Sequence, residues 1–177
     1  VKFIALGSLG NAALAMEQSK SFPVKVRQIY WSNSGLPGKD GSNYKSDPAA
    51  AEKVLAGKLP VTVAGGGGEE FYDETLMNSI GQIHSPYAGM VKDLIAAMPG
   101  HGFAYTAFDE MVPLLLHYPG LFGEAGKTGG ISYRTPSDIA ALREAVLKML
   151  RGETVERMQT IKKMPAASHV YRKDKEN

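Results

Sequence analysis

The chain has 177 residues, of which 44% are hydrophobic and 21% are charged, with a formal net charge of +2 and no Cys. These values are ordinary for a globular protein and exclude collagen-like, low-complexity and highly charged disordered chains. The lack of Cys excludes disulfides, thiolate catalysis and Cys-ligated metal sites. No apolar run reaches the roughly 20 residues of a transmembrane helix. The small net charge gives no reason to expect nucleic acid or an anionic membrane as a partner.

The first part of the chain alternates strand and helix patterns. Val1–Leu6 is a nearly continuous apolar run, which predicts a strand buried on both faces. Asn11–Lys20 is rich in helix formers and predicts a helix capped by Asn11. Val24–Trp31 is β-branched and aromatic and predicts a second strand. The three pieces form a βαβ unit, whose strands are parallel.

A loop and another helix–strand pair follow. Ser32–Ser46 is rich in Gly and polar residues and predicts a long loop, of the kind that is usually functional or disordered. Asp47 and Pro48 predict the start of a helix, with Asp as the N-cap and Pro at the first helical position. Leu59–Ala64 predicts another buried strand, and the glycines of Gly65–Gly68 predict a turn.

The middle of the chain is predicted to be mainly helical. Glu69–His84 and Pro86–Met98 form two helices, separated by a Ser-Pro step. Pro99–Thr106 is a Gly-containing loop. Ala107–His117 predicts a short buried helix that is kinked or restarted near Pro113.

The end of the chain carries one clear amphipathic helix. Lys127–Tyr133 predicts a weak edge strand, and Thr135–Asp138 resembles a capping box in which Asp replaces Glu. Glu153–Lys163 predicts one more helix, and residues 165–177 form a polar, flexible tail. The apolar face of the amphipathic helix consists of Ile139, Leu142, Val146, Met149 and Leu150.

Alternating strands and helices predict an α/β fold with a mainly parallel sheet flanked by helices, formed by residues 1–164. Ligands bind at the carboxyl ends of the strands in such folds. Three loops are predicted to lie there: Gly7–Gly10, Ser32–Ser46 and Gly65–Gly68.

Three positions are candidates for chemistry. The glycines of Gly7–Asn11 fit a helix N-terminus that binds an anion, but their spacing matches neither a dinucleotide fingerprint nor a P-loop, which favours a plain turn. Asn43 either points into a cleft or closes an Asx-turn. Asp109 either caps the next helix or, since apolar residues flank it, is a partly buried carboxylate that needs a partner or a metal. The acidic residues at positions 69–74 favour a solvated helix start, and the four His show no paired metal-ligand spacing.

Several segments, taken in order, resemble an inosine–uridine-type nucleoside hydrolase. Ala5–Ala15 resembles the "ALGPLTNLALAL" turn and helix of that family, and Val26–Trp31 resembles the strand that follows it. Asn43–Ala51 resembles the "FN-x-x-x-DPEAA" segment, and Leu59–Val63 the "G-x-P-x-T-x-V" strand. Phe108–Phe122 resembles "HDPLAVAYLLDPELF". The resemblance covers roughly residues 1 to 122.

The resemblance implies hydrolysis of the N-glycosidic bond of a ribonucleoside. A calcium ion held by an aspartate cluster would bind the ribose hydroxyls and activate a water molecule. By this resemblance, Asp109 and the backbone carbonyl of Gly10 would be calcium ligands and Asn43 would hydrogen-bond the ribose. No residue is assigned as catalytic.

The sequence departs from the family at three points. Where the family has a ribose-binding Glu, this sequence has Gly41. Where the family has a His directly before the late aspartate, this sequence has Phe108. The N-terminal D-x-D-x-x-x-D-D cluster, which supplies most calcium ligands and the general base, occurs nowhere among the 18 acidic residues.

Three explanations of these departures stay open. The chain is one piece of a split, processed or truncated enzyme, or a shortened homologue that only binds a sugar or nucleoside or scaffolds a partner, or an α/β protein whose motif order is coincidental. We expect the isolated chain to be inactive. We also expect the strand near Val1 to pair with a partner chain or a symmetry mate, because monomers avoid bare sheet edges. The sequence does not indicate the base preference, and the compartment stays open between the cytoplasm and a processed secreted form.

Overall fold

The computed structural model describes residues 1–34, 40–66, 68, 71–97 and 107–153. In this part of the chain, strands and helices follow one another as β1 (Lys2–Ala5), α1 (Gly10–Gln18), α2 (Phe22–Lys25), β2 (Gln28–Ser32), α3 (Ser42–Ser46), α4 (Pro48–Leu55), β3 (Val61–Ala64), α5 (Glu74–Gly81), α6 (Pro86–Ala96), α7 (Met111–His117), a 3₁₀ turn (Pro119–Leu121), β4 (Phe122–Thr128), β5 (Ile131–Pro136) and α8 (Ile139–Leu150). The predicted loop at Pro99–Thr106, the predicted helix beyond Glu153 and the tail at 165–177 lie outside the described residues.

The strands form one mixed sheet in the order β1-β2-β3-β5-β4. β1, β2, β3 and β5 are parallel, and β4 is antiparallel to β5. The predicted α/β fold, with a mainly parallel sheet flanked by helices, is confirmed. Every described helix is too short or too polar to span a bilayer.

Helices cover both faces of the sheet. Ile29 and Trp31 of β2 pack with residues of α1 and α4, whereas Tyr30 packs against the cluster formed with α5, α7 and α8. Because successive side chains of a strand point to opposite faces, these two clusters are separate cores on either side of the sheet. Trp31 is fully buried, and its Nε1 donates to the Gly7 carbonyl oxygen at 2.9 Å, which fixes the turn after β1.

The first strand differs from the prediction. Within the described ranges, β1 forms an edge of the sheet and pairs with β2 alone. Of its four residues only Ala5 is buried, so the expected burial on both faces is wrong. Ile4 is 48% exposed and Leu6, which follows the strand, is 46% exposed. The apolar run was therefore a correct signal for a strand but not for its position in the sheet.

The last strands form a hairpin rather than the single weak edge strand predicted at Lys127–Tyr133. β4 and β5 are joined at Gly129 and Gly130, and Gly129 has a φ of 58°, which favours glycine. β5 lies between β3 and β4, so it is an interior strand. The interior position of β5 could not be predicted from its polar residues, because interior parallel strands are usually apolar.

Three of the described helices, α4, α5 and α8, begin at an Asp whose side chain caps the first turn. Asp47 Oδ1 accepts from the Ala50 amide at 3.0 Å, which confirms the predicted cap with Pro48 next to it. Asp73 caps α5, so the helix begins at Glu74 and not at the predicted Glu69. Asp138 itself caps α8, which corrects the predicted capping box, because Thr135 belongs to β5.

Other helix starts also differ from the predictions. Asn11 lies inside α1 and does not cap it, since the helix begins at Gly10. The predicted loop Ser32–Ser46 ends in α3, and the predicted strand at Val24 begins in α2. Pro113 is the third residue of α7 and lies in its first turn. The N–H groups of a first turn have no acceptor within the helix, so the helix loses no hydrogen bond by having Pro there.

Candidate functional site

A cleft of about 280 Å³ opens at the carboxyl ends of β1 and β2. Leu6 follows β1 directly and Ser32 ends β2, and because the two strands are parallel, these residues lie at the same edge of the sheet. The predicted place of the ligand site in the fold therefore contains a cavity. The described lining consists of Leu6, Ser32, Ser34, Ser42, Asn43, Phe108 and Asp109.

Asn43 joins the two strand ends below this cleft. Its Nδ2 donates to the Ser32 carbonyl oxygen at 2.8 Å and to the Leu6 carbonyl oxygen at 3.1 Å. An amide nitrogen has two hydrogens, so both are used by these carbonyls. Oδ1 is then the part of the side chain that is left to accept a hydrogen bond from a ligand. The Asx-turn interpretation is wrong, since Asn43 lies within α3.

Asp109 brings a carboxylate to the same cleft. It lies in the turn before α7 and is exposed, which corrects the expectation of a partly buried carboxylate. It does not cap the helix either, because Glu110 occupies the N-cap position and no described side chain makes a capping bond there. Within the described part of the chain, the Asp109 carboxylate makes no hydrogen bond or ion pair. Its oxygens are therefore available to a ligand, next to the ring of Phe108, which is 40% exposed.

Gly10 lies apart from these two residues. It is the first residue of α1 and borders a different cleft between α1 and α4, of about 550 Å³, together with Asp47 and Lys53. A side chain at position 10 would approach Asp47 Oδ2 to 3.2 Å, so glycine suits the close packing of the two helices here. The structure thus brings Asn43 and Asp109 together at one cleft and leaves Gly10 at another.

Acidic and His side chains do not gather around the cleft in the described ranges, where no group of three or more could hold a metal ion. Asp109 is the one carboxylate in the described lining. The lining otherwise offers hydroxyl groups, the Asn43 amide and an aromatic ring. Such a surface can accept and donate hydrogen bonds to a ligand with several hydroxyls while a ring packs on its apolar side.

A buried Asn behind the cleft was missed by sequence reasoning. Asn33 is 2% exposed, its Oδ1 accepts from the Tyr44 amide at 3.2 Å, and its backbone N–H donates to Ala64 at 3.1 Å. Cβ atoms at Gly41 and Gly65 would overlap with the Asn33 side chain and backbone. The only sequence signal was a polar residue directly after a buried strand, which is also the pattern of an ordinary loop.

The fold of this chain is shared with nucleoside hydrolases of known structure. An inosine-uridine preferring nucleoside hydrolase from Bacillus anthracis superposes with a TM-score of 0.60 at 14% identity, over 85% of this chain and 60% of that one. The plant nucleoside hydrolase PpNRh1 gives a TM-score of 0.57 at 19% identity, over the same shares of the two chains. No protein-family profile and no curated protein sequence matches the chain. The chain spans 60% of the length of these two enzymes, so the likeness is one of fold and covers only that part of each enzyme.

Proposed function

We propose that this chain is part of a nucleoside-hydrolase-like protein and that its cleft binds the sugar of a ribonucleoside. The whole protein would hydrolyse the N-glycosidic bond with a calcium-activated water molecule. The observation that carries this proposal is the meeting of Asn43 and Asp109 at one cleft, at the carboxyl edge of a sheet whose fold is that of nucleoside hydrolases.

The chemistry of the lining supports a sugar as the ligand. The Asp109 carboxylate accepts hydrogen bonds from ribose hydroxyls, and hydrogen bonds to charged groups are the stronger kind. Asn43 Oδ1 accepts one more, while its Nδ2 is held by the two carbonyls. The exposed ring of Phe108 suits the apolar side of a sugar or the face of a base.

Calcium binding needs more ligands than the described residues bring to the cleft. Calcium takes roughly six to eight oxygen ligands, whereas the described lining contains one carboxylate, and Gly10 borders another cleft. We assign Asp109 as one ligand and leave Gly10 as a prediction from the resemblance alone. The remaining ligands would come from a partner chain or from residues outside the described ones, so the isolated chain would be inactive.

The exposed edge of β1 is the place where such a partner would pair. Among the described strands, β1 has a neighbour, β2, on one side, and both Ile4 and the cleft residue Leu6 expose apolar surface. A strand added at this edge would satisfy its free N–H and C=O groups and bring side chains to the same carboxyl edge. The partner is either a chain that carries the missing acidic residues or a second copy.

A second function is a homologue that binds a sugar or nucleoside, or scaffolds a partner, without hydrolysis. The use of both Asn43 donors by backbone carbonyls favours it, because the amide then stabilises the sheet edge more than it positions a substrate. Gly41 also favours binding without hydrolysis. A Glu at this position, where the resembling family has one, would overlap with Asn33.

Inosine and uridine titrations of the full chain test the binding step. We expect saturable binding of both nucleosides, because the sugar is their common part, and at least a tenfold loss of affinity in Asp109→Ala. Asp93→Ala, on the exposed surface of α6, is the matched control and should leave affinity unchanged. No saturable binding, or an equal loss in both variants, would contradict the proposed site.

A ribose-release assay separates the two functions. The isolated chain should release no ribose from inosine or uridine, with or without added calcium. Release that appears when a partner carrying acidic residues is added supports the enzyme. Binding that persists in every mixture without release supports the binding homologue, and turnover by the isolated chain would overturn the expected inactivity.

A further inference from the structure

A third cavity, separate from the two clefts, lies between α7 and α8. It has a volume of about 190 Å³, is partly open to solvent, and its described lining is mainly apolar. Leu114 of α7 and Val146 and Met149 of α8 form the walls, and the rings of Tyr72 and Tyr118 border it. Both tyrosines are almost fully buried, at 8% and 3% exposure. Engineered apolar cavities of about 150 Å³ hold one benzene ring, so this volume suits a monocyclic compound.

The hydroxyl of Tyr118 is one polar group beside this cavity. No described residue exchanges a hydrogen bond with it, and although the residue as a whole is only 3% exposed, its oxygen is not fully enclosed. Burial raises the pKa of Tyr118 above its ordinary value. The accessible hydroxyl can donate or accept a hydrogen bond with a molecule in the cavity.

The polar groups at the rim select the type of ligand. Glu110 also lines the cavity, and its Oε2 is buried. The carboxylate repels anions and accepts hydrogen bonds, which favours a ligand with a hydrogen-bond donor over one with a negative charge. The imidazole of His117, which also lines the cavity, is a second group that can accept from such a donor. Aromatic rings pack favourably on tyrosine rings in edge-to-face or offset arrangements.

We propose that the cavity between α7 and α8 binds a small monocyclic aromatic molecule that carries a hydrogen-bond donor, such as a phenol. The ring would pack among Leu114, Val146 and Met149, and the donor would face Glu110 and Tyr118. This site shares no described lining residue with the cleft, and phenol binding is therefore measured separately from nucleoside binding.

Phenol is the probe that tests this site, with the full chain labelled for NMR. We expect saturable shifts of the Leu114 and Val146 amide signals, and no saturable shifts with benzoate, which carries an anion in place of the donor. Tyr118→Phe keeps the ring and should weaken phenol binding by about threefold to tenfold, the effect of one hydrogen bond. Tyr87→Phe, at a 64% exposed tyrosine of α6, should leave it unchanged.

A cavity-filling variant completes the test. Met149→Trp puts a larger ring into the cavity from the 40% exposed edge of α8 and should abolish saturable phenol binding. Glu144→Trp, on the exposed surface of the same helix, should not. Shifts that do not saturate, benzoate binding equal to phenol binding, or a Met149→Trp variant that is folded by circular dichroism and still binds phenol would overturn the proposal.

Discussion

Gly41 lies directly against the buried side-chain amide of Asn33, with no room for a Cβ between them. The Asn33 Oδ1 in turn accepts from the Tyr44 amide, so the start of α3 is attached to the end of β2 through this side chain. The position of α3, and with it that of Asn43, therefore depends on a glycine that lies outside the described lining of the cleft.

Gly41→Ala should destabilise the fold because the new methyl group overlaps with Asn33. We expect a loss of about 1–3 kcal/mol in the free energy of unfolding, the usual cost of overpacking. Gly89→Ala is the matched control. A Cβ there meets open space within α6, so the variant should gain about 0.5–1 kcal/mol from helix propensity. Urea denaturation measures the free energy of unfolding of both variants. If both were destabilised, or both stabilised, the packing of Gly41 against Asn33 would be contradicted.

Asn43→Ala should cost about 1–3 kcal/mol, because it removes two hydrogen bonds and leaves the Leu6 and Ser32 carbonyls to find other partners. The exposed Asn78 of α5 is a suitable comparison, and Asn78→Ala should lie within about 0.5 kcal/mol of the parent. Amide exchange at residues after β1 and β2 should also accelerate in Asn43→Ala alone. If the two variants were equally stable, the bridge between the strand ends would be unimportant.

Asp109 and Asp138 should respond differently to removal of the carboxylate. Asp138 Oδ1 accepts from the Ala141 amide at 2.9 Å, so Asp138→Ala should cost about 1 kcal/mol as a lost helix cap. Asp109→Ala should change the stability by less than about 0.5 kcal/mol, since its side chain has no partner among the described residues. Thermal unfolding of the two variants checks this. A large loss in Asp109→Ala would mean that the carboxylate supports the fold rather than faces a ligand.

Stability should fall at alkaline pH through Tyr118. Burial raises its folded-state pKa above the ordinary value of 10.0, so the folded protein retains a proton that the unfolded chain releases. The stabilisation is therefore complete below about pH 10 and is lost as the pH rises through the folded-state pKa. Tyr118→Phe should remove this part of the alkaline decline in urea titrations at pH 9 to 11, whereas Tyr87→Phe should retain it. Identical alkaline slopes in the parent and Tyr118→Phe would contradict it.

The features that could be predicted from the sequence are those that depend on neighbouring residues. Asp47 and Pro48 define a helix start through contacts within one turn, and the cap is confirmed. β3 is confirmed because its residues are buried on both faces and apolar throughout. The parallel α/β architecture follows from the alternation of such segments, and so does the location of a cleft at the carboxyl edge.

The features that could not be predicted depend on distant partners. β1 and β3 have similar apolar sequences, yet one is an edge and the other is interior, because pairing is decided by strands elsewhere in the chain. The exposure of Asp109 depends on where α7 begins, and the separation of Gly10 from Asn43 depends on how α1 packs against α4. The resemblance assigned Asn43, Asp109 and Gly10 to one site, and the structure brings only the first two to the same cleft. It did not indicate that both Asn43 donors are used by backbone carbonyls.

The insertion of β5 between β3 and β4 has a consequence for synthesis on the ribosome. β3 ends at Ala64, while its parallel neighbour begins only at Ile131, so one side of an entirely buried strand stays open until most of the chain has been made. Pairings so distant along the chain close slowly, and an apolar strand edge that waits for its neighbour can join another chain instead. The edge of β3 that carries Val61 and Val63 therefore stays open to pairing with another chain until the β4–β5 hairpin has been made.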